Sequence, residues 1–422
     1  MKVLIVGGGI GGLVTALELH QRGIEAHVFE SVNQPAALGV GINLLPHAMK
    51  NLIQLGLLEP LMATGIQTKD LSFYSKHGKL IWREPRGLDA GYKVPQLSIH
   101  RGELQMILFR AARERLGARI HTGHHFKDYR ETPDRRVVAT FIDRNTGAVV
   151  AEADGDVLIG ADGIHSAMRA KLQPQAGAGV WSGMMFWRGA VVTEPFLSGR
   201  SMIMAGYPDR KVIVYPMSQR HYDQGQSLTN WAVDFMVDRS GRFNPEDWNR
   251  HGDRSEFLPA FADWHFDWLD IPDLLQRTET VYEYPCVDHE PLERWTFGRA
   301  TLLGDAAHPM RPMGSNAGSQ AIRDACAIAH ALASAPDIDN ALAAYENERR
   351  PATTRIVLSN KLSGPERVMQ MVEDRAPNGF DDLHAVITET ELQTVADEYK
   401  QIAGFDRESV NAGVGDDLRR SA

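Results

Sequence analysis

The chain has 422 residues, 43% of them apolar and 23% charged, with a formal net charge of −9. That is the balance of an ordinary globular protein large enough for two domains, and its negative charge argues against nucleic acid and anionic membrane as partners. The two cysteines, Cys286 and Cys326, stand far apart in no metal-ligand spacing, so neither a disulfide framework nor a metal site is expected. No apolar run approaches the roughly 20 residues that span a bilayer. Met1 leads at once into Lys2-Val3 with no signal peptide between, and a cytoplasmic location is expected.

Lys2-Val3-Leu4-Ile5-Val6 reads as a buried parallel strand. It runs into Gly7-Gly8-Gly9-Ile10-Gly11-Gly12, which satisfies G-x-G-x-x-G at Gly7, Gly9 and Gly12. An amphipathic helix over 13–21 and a second strand, Ala26-His27-Val28-Phe29, end in Glu30. In this strand–turn–helix–strand unit the three glycines serve the tight turn, the approach of a pyrophosphate and the packing of helix on strand. The helix N-terminus offers N–H groups and partial positive charge to phosphates, and Glu30 can accept from a ribose diol. The unit binds the ADP part of a dinucleotide.

Beyond Ser31 a loop leads to Gly39-Val40-Gly41-Ile42-Asn43, whose glycines suggest backbone passing close to something flat or bulky. Helices are expected over 47–55 and 102–116, with a hairpin around His77-Gly78. Strands are expected over 119–122, 137–143 and 156–160, the last entering Ala161-Asp162-Gly163. From about 176 to 290 the chain turns rich in Trp, Tyr, Phe and Met in short alternating runs, the pattern of a mainly antiparallel sheet. Ala300-Thr301-Leu302-Leu303 restores the buried-strand pattern and ends in Gly304-Asp305, before two long helices over 317–335 and 338–360. The last ten residues, 413–422, are expected to fray.

The expected architecture is α/β. A Rossmann-like dinucleotide domain is assembled from 1–70, 98–176 and 290–360, a sheet domain from 71–97 and 177–289, and a helical tail from 361–422. The tail could dock a second subunit or cap its own domain. Either acidic turn alone would pass for a plain loop. In a doubly wound sheet, however, such turns lie at the carboxyl ends of strands, where ligands sit.

The three motifs in this order resemble the flavoprotein aromatic hydroxylases, single-component FAD monooxygenases related to para-hydroxybenzoate and salicylate hydroxylase. The resemblance spans about 1–360 and rests on Gly7–Gly12 with Glu30, Arg101 in His-Arg-Gly-Glu-Leu, Asp162-Gly163 with Arg169, Asp305, and the run Pro312-Met313-Gly314-Ser315-Asn316-Ala317-Gly318-Ser319. Leu38 to Asn43, Ser98 to Gln105 and Trp187-Arg188-Gly189 look most like phenazine-carboxylate monooxygenases.

This resemblance implies FAD as cofactor, NADH or NADPH as transient hydride donor, and O2. The reaction it implies is hydroxylation of a planar aromatic or N-heteroaromatic ring through a flavin C4a-hydroperoxide, with decarboxylation where the attacked carbon bears a carboxylate. Gly7, Gly9, Gly11, Gly12, Glu30, Ser31, Gly41, Asn43, Arg101, Asp162 and Asp305 would hold FAD, with Phe126 on the adenine or in the core. Ser315, Asn316, Ala317, Gly318 and Ser319 open a helix whose N–H groups would face the flavin N1–C2=O edge. Pro312 and Gly314 would border its reacting edge, and no acid–base side chain is required there. Trp187, Met204, Tyr215 and Trp231 are candidates for an aromatic slot, and Arg188 for a substrate carboxylate. His308 reads as structural, and the tryptophans of 264–272 as a hydrophobic lid or helix packing on the pocket. A flavoprotein oxidase or dehydrogenase of the same fold would instead be reduced by its substrate without nicotinamide. A non-enzymatic flavin-binding partner would reoxidise slowly. A small aromatic substrate and a monomer or homodimer are expected.

Overall fold

The computed structural model describes residues 1–177, 179–237, 251–412 and 414. Except for Val414, the stretch expected to fray lies outside them.

The apolar run Lys2–Val6 becomes the central strand of a five-stranded parallel sheet. Across it the order is Ala300–Leu302, Val157–Gly160, Lys2–Val6, Glu25–Glu30 and Ile120–Thr122. The chain leaves the central strand in one direction and returns to its other side, so the carboxyl ends of the strands open a crevice at that switch point. The helix Ile10–Gln21 packs on the sheet beside Ala317–Ser334, and both share the core of Val3, Ile5, Leu13, Leu17, Leu302 and Ile322. Two short antiparallel sheets flank this unit. One joins Val149–Gly155, Val137–Ile142 and His125–Glu131; the other joins Gly41–Leu44, Leu97–His100 and Ile66–Gln67.

The aromatic-rich segment forms a seven-stranded sheet in the order Val281–Asp288, Val180–Thr193, Ser227–Met236, Arg210–Pro216, Ser201–Tyr207, Asp70–Tyr74 and Leu80–Pro85. Every neighbouring pair is antiparallel except Ser201–Tyr207 with Asp70–Tyr74. Both faces are covered. Met185, Trp187, Val212, Val214, Trp231 and Val233 form an outer face under Phe257, Phe261, Trp264 and Leu274. Met202, Met204 and Tyr215 belong to the inner face, which packs on Val368, Met369, Leu392 and Val395 of the tail.

The tail therefore caps its own chain. Its helices Arg367–Arg375 and Glu389–Ala403 lie on the inner sheet face, the second started by a capping box of Thr388 and Glu391. Leu258–Phe261 is a short 3-10 turn. Trp264, expected near a pocket lid, packs edge-on against Phe261 at 4.9 Å on the outer face.

The seven-stranded sheet meets the short sheet of Gly41–Leu44 at Gly41. Its N–H donates to Asn230 Oδ1 at 2.8 Å, and its carbonyl accepts from Arg188 Nη2 at 2.9 Å. A Cβ at Gly41 would lie 2.5 Å from Tyr215 Cε2 and 2.9 Å from Asn230 Cβ. The flat group pressed against this glycine is thus a tyrosine of the second sheet. Gly41→Ala overpacks the junction, which costs about 1–3 kcal/mol. Calorimetry is expected to show a melting temperature lower by several degrees, and an unchanged melting temperature would show that the ring swings aside freely.

Candidate functional site

Four corners converge at the carboxyl ends of the parallel strands: Gly7–Gly12, Glu30, Ala161-Asp162 and Gly304-Asp305. Gly7 has φ +103°, and a Cβ there would meet the Ala161 carbonyl oxygen at 2.4 Å. A Cβ at Gly12 would lie 2.0 Å from the Gly7 carbonyl oxygen, and one at Gly11 would meet Leu303 at 2.7 Å. Gly11 is therefore a packing glycine. At Gly9 a Cβ meets nothing within 4 Å. Gly9 is also the N-cap of Ile10–Gln21 and offers no side chain to its first N–H groups, so the turn presents open space and unsatisfied donors together. Gln105, not singled out from the sequence, braces the turn by donating to the Gly8 carbonyl at 3.0 Å.

The acids fall into different roles. Glu30 Oε2 accepts from Gly8 N at 2.7 Å, while Oε1 accepts from Val32 N at 2.8 Å and Ser31 Oγ at 3.2 Å. Asp162 accepts from Ser166 Oγ at 2.5 Å and Met168 N at 3.1 Å, so both oxygens hold its own turn. Arg169 is buried behind that turn and makes no ion pair among the described residues, so it supports the turn from within. Asp305 is exposed to solvent, yet surrounding protein pushes its carboxyl above the ordinary value, with His308 and Arg101 pulling it back. Open backbone at Gly9, an uncapped helix start and an exposed Asp305 within electrostatic reach of Arg101 fit a dinucleotide cofactor.

Other expected residues have partners within the protein. Phe126 is buried edge-on against Phe141, centroids 6.3 Å apart, because its strand packs on the parallel sheet. Asn43 is buried and its Oδ1 accepts from Ser98 Oγ at 2.6 Å, so it holds the small sheet together. Both polar groups of Gly41 serve the junction with Asn230 and Arg188. Ser319 is buried and accepts from Leu45 N at 3.2 Å, and Asn316 is buried beside Gln320. That leaves backbone, not these side chains, to face the cleft from the start of Ala317–Ser334, which has no side-chain cap.

Before that helix, Pro312 is exposed, while Gly314 and Ser315 are half-buried with φ of +66° and +53°. A Cβ at Gly314 would lie 2.1 Å from Tyr399 Oη. Met313 O accepts from Asn360 Nδ2 and from Tyr399 Oη, each at 3.2 Å. The tail thus fixes this loop.

Pleating separates the substrate candidates, because neighbours on a strand face opposite sides. Arg188 points to the inner face and reaches Gly41, so Trp187 points out, stacked on Phe235 at 4.9 Å. Trp231 shares that outer face and donates to Thr278 Oγ1 at 2.6 Å. Neither tryptophan lines the slot. Tyr215 and Met204 are buried on the inner face. Tyr284 and Ile213 were missed. Tyr284 sits across from Phe186 and Ile213 across from Ala232 on inner-face positions, and both are half-buried. Burial raises the Tyr284 hydroxyl, opposed by Arg188 and then Arg101, which puts both guanidiniums within electrostatic reach of one ring.

His308 lies in a buried network: its Nε2 meets Asp324 Oδ2 at 2.5 Å, Arg349 Nε donates to Asp324 Oδ1 at 2.7 Å, and Gly304 N donates to Oδ2 at 3.1 Å. That network props the turn carrying Asp305.

A family model described as FAD binding domain matches residues 1–359. The chain belongs to the FAD-dependent aromatic hydroxylases, and it is an FAD-dependent monooxygenase that hydroxylates aromatic or heteroaromatic substrates. NAD(P)H and O2 are the co-substrates typical of that family. Phenazine 1,6-dicarboxylic acid hydroxylase PhzS of Lysobacter antibioticus is 48% identical over 364 residues, covering 85% of this chain and 89% of the relative. A 3-hydroxybenzoate 6-hydroxylase of Klebsiella oxytoca is 29% identical and covers 86% and 88%. A salicylate hydroxylase substrate complex shares the fold, with TM-score 0.74, 21% identity and coverage of 99% and 98%. Among the described residues no helix is long and apolar enough to cross a membrane.

Two outcomes follow from this geometry. Asp305→Ala removes an exposed side chain, so the cofactor-free protein should melt unchanged while FAD dissociates roughly tenfold more readily in fluorescence titration; unchanged affinity would remove Asp305 from the cofactor site. Burial would raise the Asp324 carboxyl, but His308 and Arg349 outweigh it and hold it down from 3.8 to about 2. Its contribution, on the order of 2 kcal/mol, is present above pH 3.8 and lost as pH falls through about 2. Acid unfolding of Asp324→Asn should lack that limb; an identical acid limb would contradict the network.

Proposed function

We propose that the substrate is a planar, carboxylated N-heteroaromatic of the phenazine type, held between the Pro312–Gly314 edge and the inner sheet face. The observation that carries this reading is Arg188. Its Nη2 is used on Gly41, its Nε is buried without a hydrogen-bond partner, and it lies beside Tyr215 and within reach of Tyr284. A half-buried guanidinium with an unused N–H asks for an acceptor, and a carboxylate supplies one with matching planar geometry. The name of the Lysobacter antibioticus relative specifies a phenazine bearing two such carboxylates.

FAD, when bound, supplies the redox chemistry, taking hydride from NAD(P)H and delivering one oxygen atom of O2 to the ring while the other leaves as water. The residues of the chain bind, orient and keep out solvent. The turn at Gly7–Gly12 and its helix receive the pyrophosphate, Glu30 the ribose, and Arg101 with Asp305 the chain between the two rings. The uncapped start of Ala317–Ser334 presents positive dipole to the flavin N1–C2=O edge and favours negative charge there. Pro312 and Gly314 border the reacting edge with no side chain able to exchange a proton. The inner sheet face, with Phe186, Ile213 and Tyr284, excludes water from it. Arg188 fixes which ring carbon faces the oxygen by gripping the carboxylate. The enzyme works in the cytoplasm, where its two unpaired cysteines stay reduced, as a monomer or homodimer.

Steady-state assays with a phenazine dicarboxylate, its monocarboxylate and unsubstituted phenazine test this directly, with hydroxylated product measured per NAD(P)H oxidised. Arg188→Met also removes the bond to Gly41, so it should affect every ring; it is expected to raise KM for the carboxylated substrates about 30-fold more than for the unsubstituted ring, the loss of one charge-assisted pair. Equal KM changes for charged and neutral rings would contradict the assignment.

A further inference from the structure

Three ionisable groups lie fully buried between the inner sheet face and the tail. Lys211 Nζ is 2.8 Å from Asp234 Oδ2 and 2.7 Å from Glu366 Oε2, each side chain at 0% exposure. Its third contact is Met313 Sδ at 3.4 Å. The ammonium ties three separate parts of the chain: it forms ion pairs with Asp234 on the adjacent strand and Glu366 in the tail, and donates to Met313 Sδ in the loop of Pro312–Gly314. Among the described residues no other side-chain donor reaches either carboxylate.

Stability does not account for this cluster, because apolar side chains of similar volume in such a place are commonly neutral or stabilising. What an ion cluster adds is direction. Apolar neighbours would let Met313 settle in several rotamers, whereas a charged donor holds its sulfur at one point. The Met313 carbonyl is anchored independently by Asn360 and Tyr399, so side chain and backbone of one loop residue are pinned from opposite sides.

We propose that Lys211 is a positioning residue for the flavin edge: through Met313 Sδ it sets where Pro312 and Gly314 stand against the ring. The proposal rests on reading 312–319 as the loop beside the flavin. Charge supports it. Burial would lower the Lys211 ammonium, but Asp234 and Glu366 outweigh it and keep it protonated. Burial and then Glu366 push Asp234 up to about 7 against the pull of Lys211.

Two variants test it. K211M/D234L/E366M replaces the cluster with apolar groups and leaves the loop sequence intact; M313L removes only the sulfur and conserves volume. Two quantities are read from FAD-loaded protein: the visible circular dichroism of the bound flavin, and hydroxylated product per NAD(P)H oxidised. Each variant should keep its FAD, change the flavin dichroism and lose about fivefold in product per NAD(P)H, the size of one buried hydrogen bond. Adding M313L to the triple variant should change nothing further, since the contact is already gone. Native dichroism and coupling in either variant, or additive losses in the combination, overturn the proposal. Should the triple variant fail to fold, M313L decides. If the unaltered enzyme hydroxylates none of the rings, the substrate reading fails while the dichroism comparison still tests Lys211.

Discussion

One residue joins the seven-stranded sheet to the rest of the molecule. Gly41 gives its N–H to Asn230 and its carbonyl to Arg188, with no room for a Cβ against Tyr215. These bonds press the inner face of the seven-stranded sheet onto the parallel-sheet domain. Without them the cleft at the strand ends would be an open groove. With them it has a roof that carries Arg188, Tyr284 and Phe186. The residue that orients substrate in our account is therefore also the residue that closes the two domains, and its Nε is what remains for a ligand.

The tail supplies the second constraint. Tyr399 and Asn360 reach the carbonyl of Met313, and the Lys211 cluster joins Glu366 to the same loop. A segment that looks peripheral in the chain thus sets the geometry of the Pro312–Gly314 loop. Substitutions there should register in how well oxygen transfer is coupled before they register in folding.

Local pattern made much of this legible. The strand–glycine–helix–strand unit announced itself because each residue type has one physical reason to be there, and the helices over 317–335 and 338–360 followed from their periodicity and lie at Ala317–Ser334 and Ile338–Lys361. Facing direction was harder. Trp187 and Arg188 are adjacent on a strand, so the pleat forbids both from lining one slot, yet only the packed layers say which turns inward. Aromatic character pointed to the tryptophans, and they belong to the outer core instead. The strand His125–Glu131 escaped notice because its charged residues mask the alternation. Lys211 and Asp234 did leave a signal, single charges inside apolar strands, but their partner Glu366 lies far along the chain and no local pattern links them.

The central claim is that the flavin lies at the carboxyl ends of the parallel strands with its reacting edge turned to the inner sheet face. A crystal structure with FAD and a carboxylated aromatic bound tests it most directly. The account predicts the isoalloxazine ring against Pro312–Gly314 and the carboxylate on Arg188. A ligand seated on the outer face near Trp187 and Trp231, or a flavin ring turned away from Gly314, would contradict it.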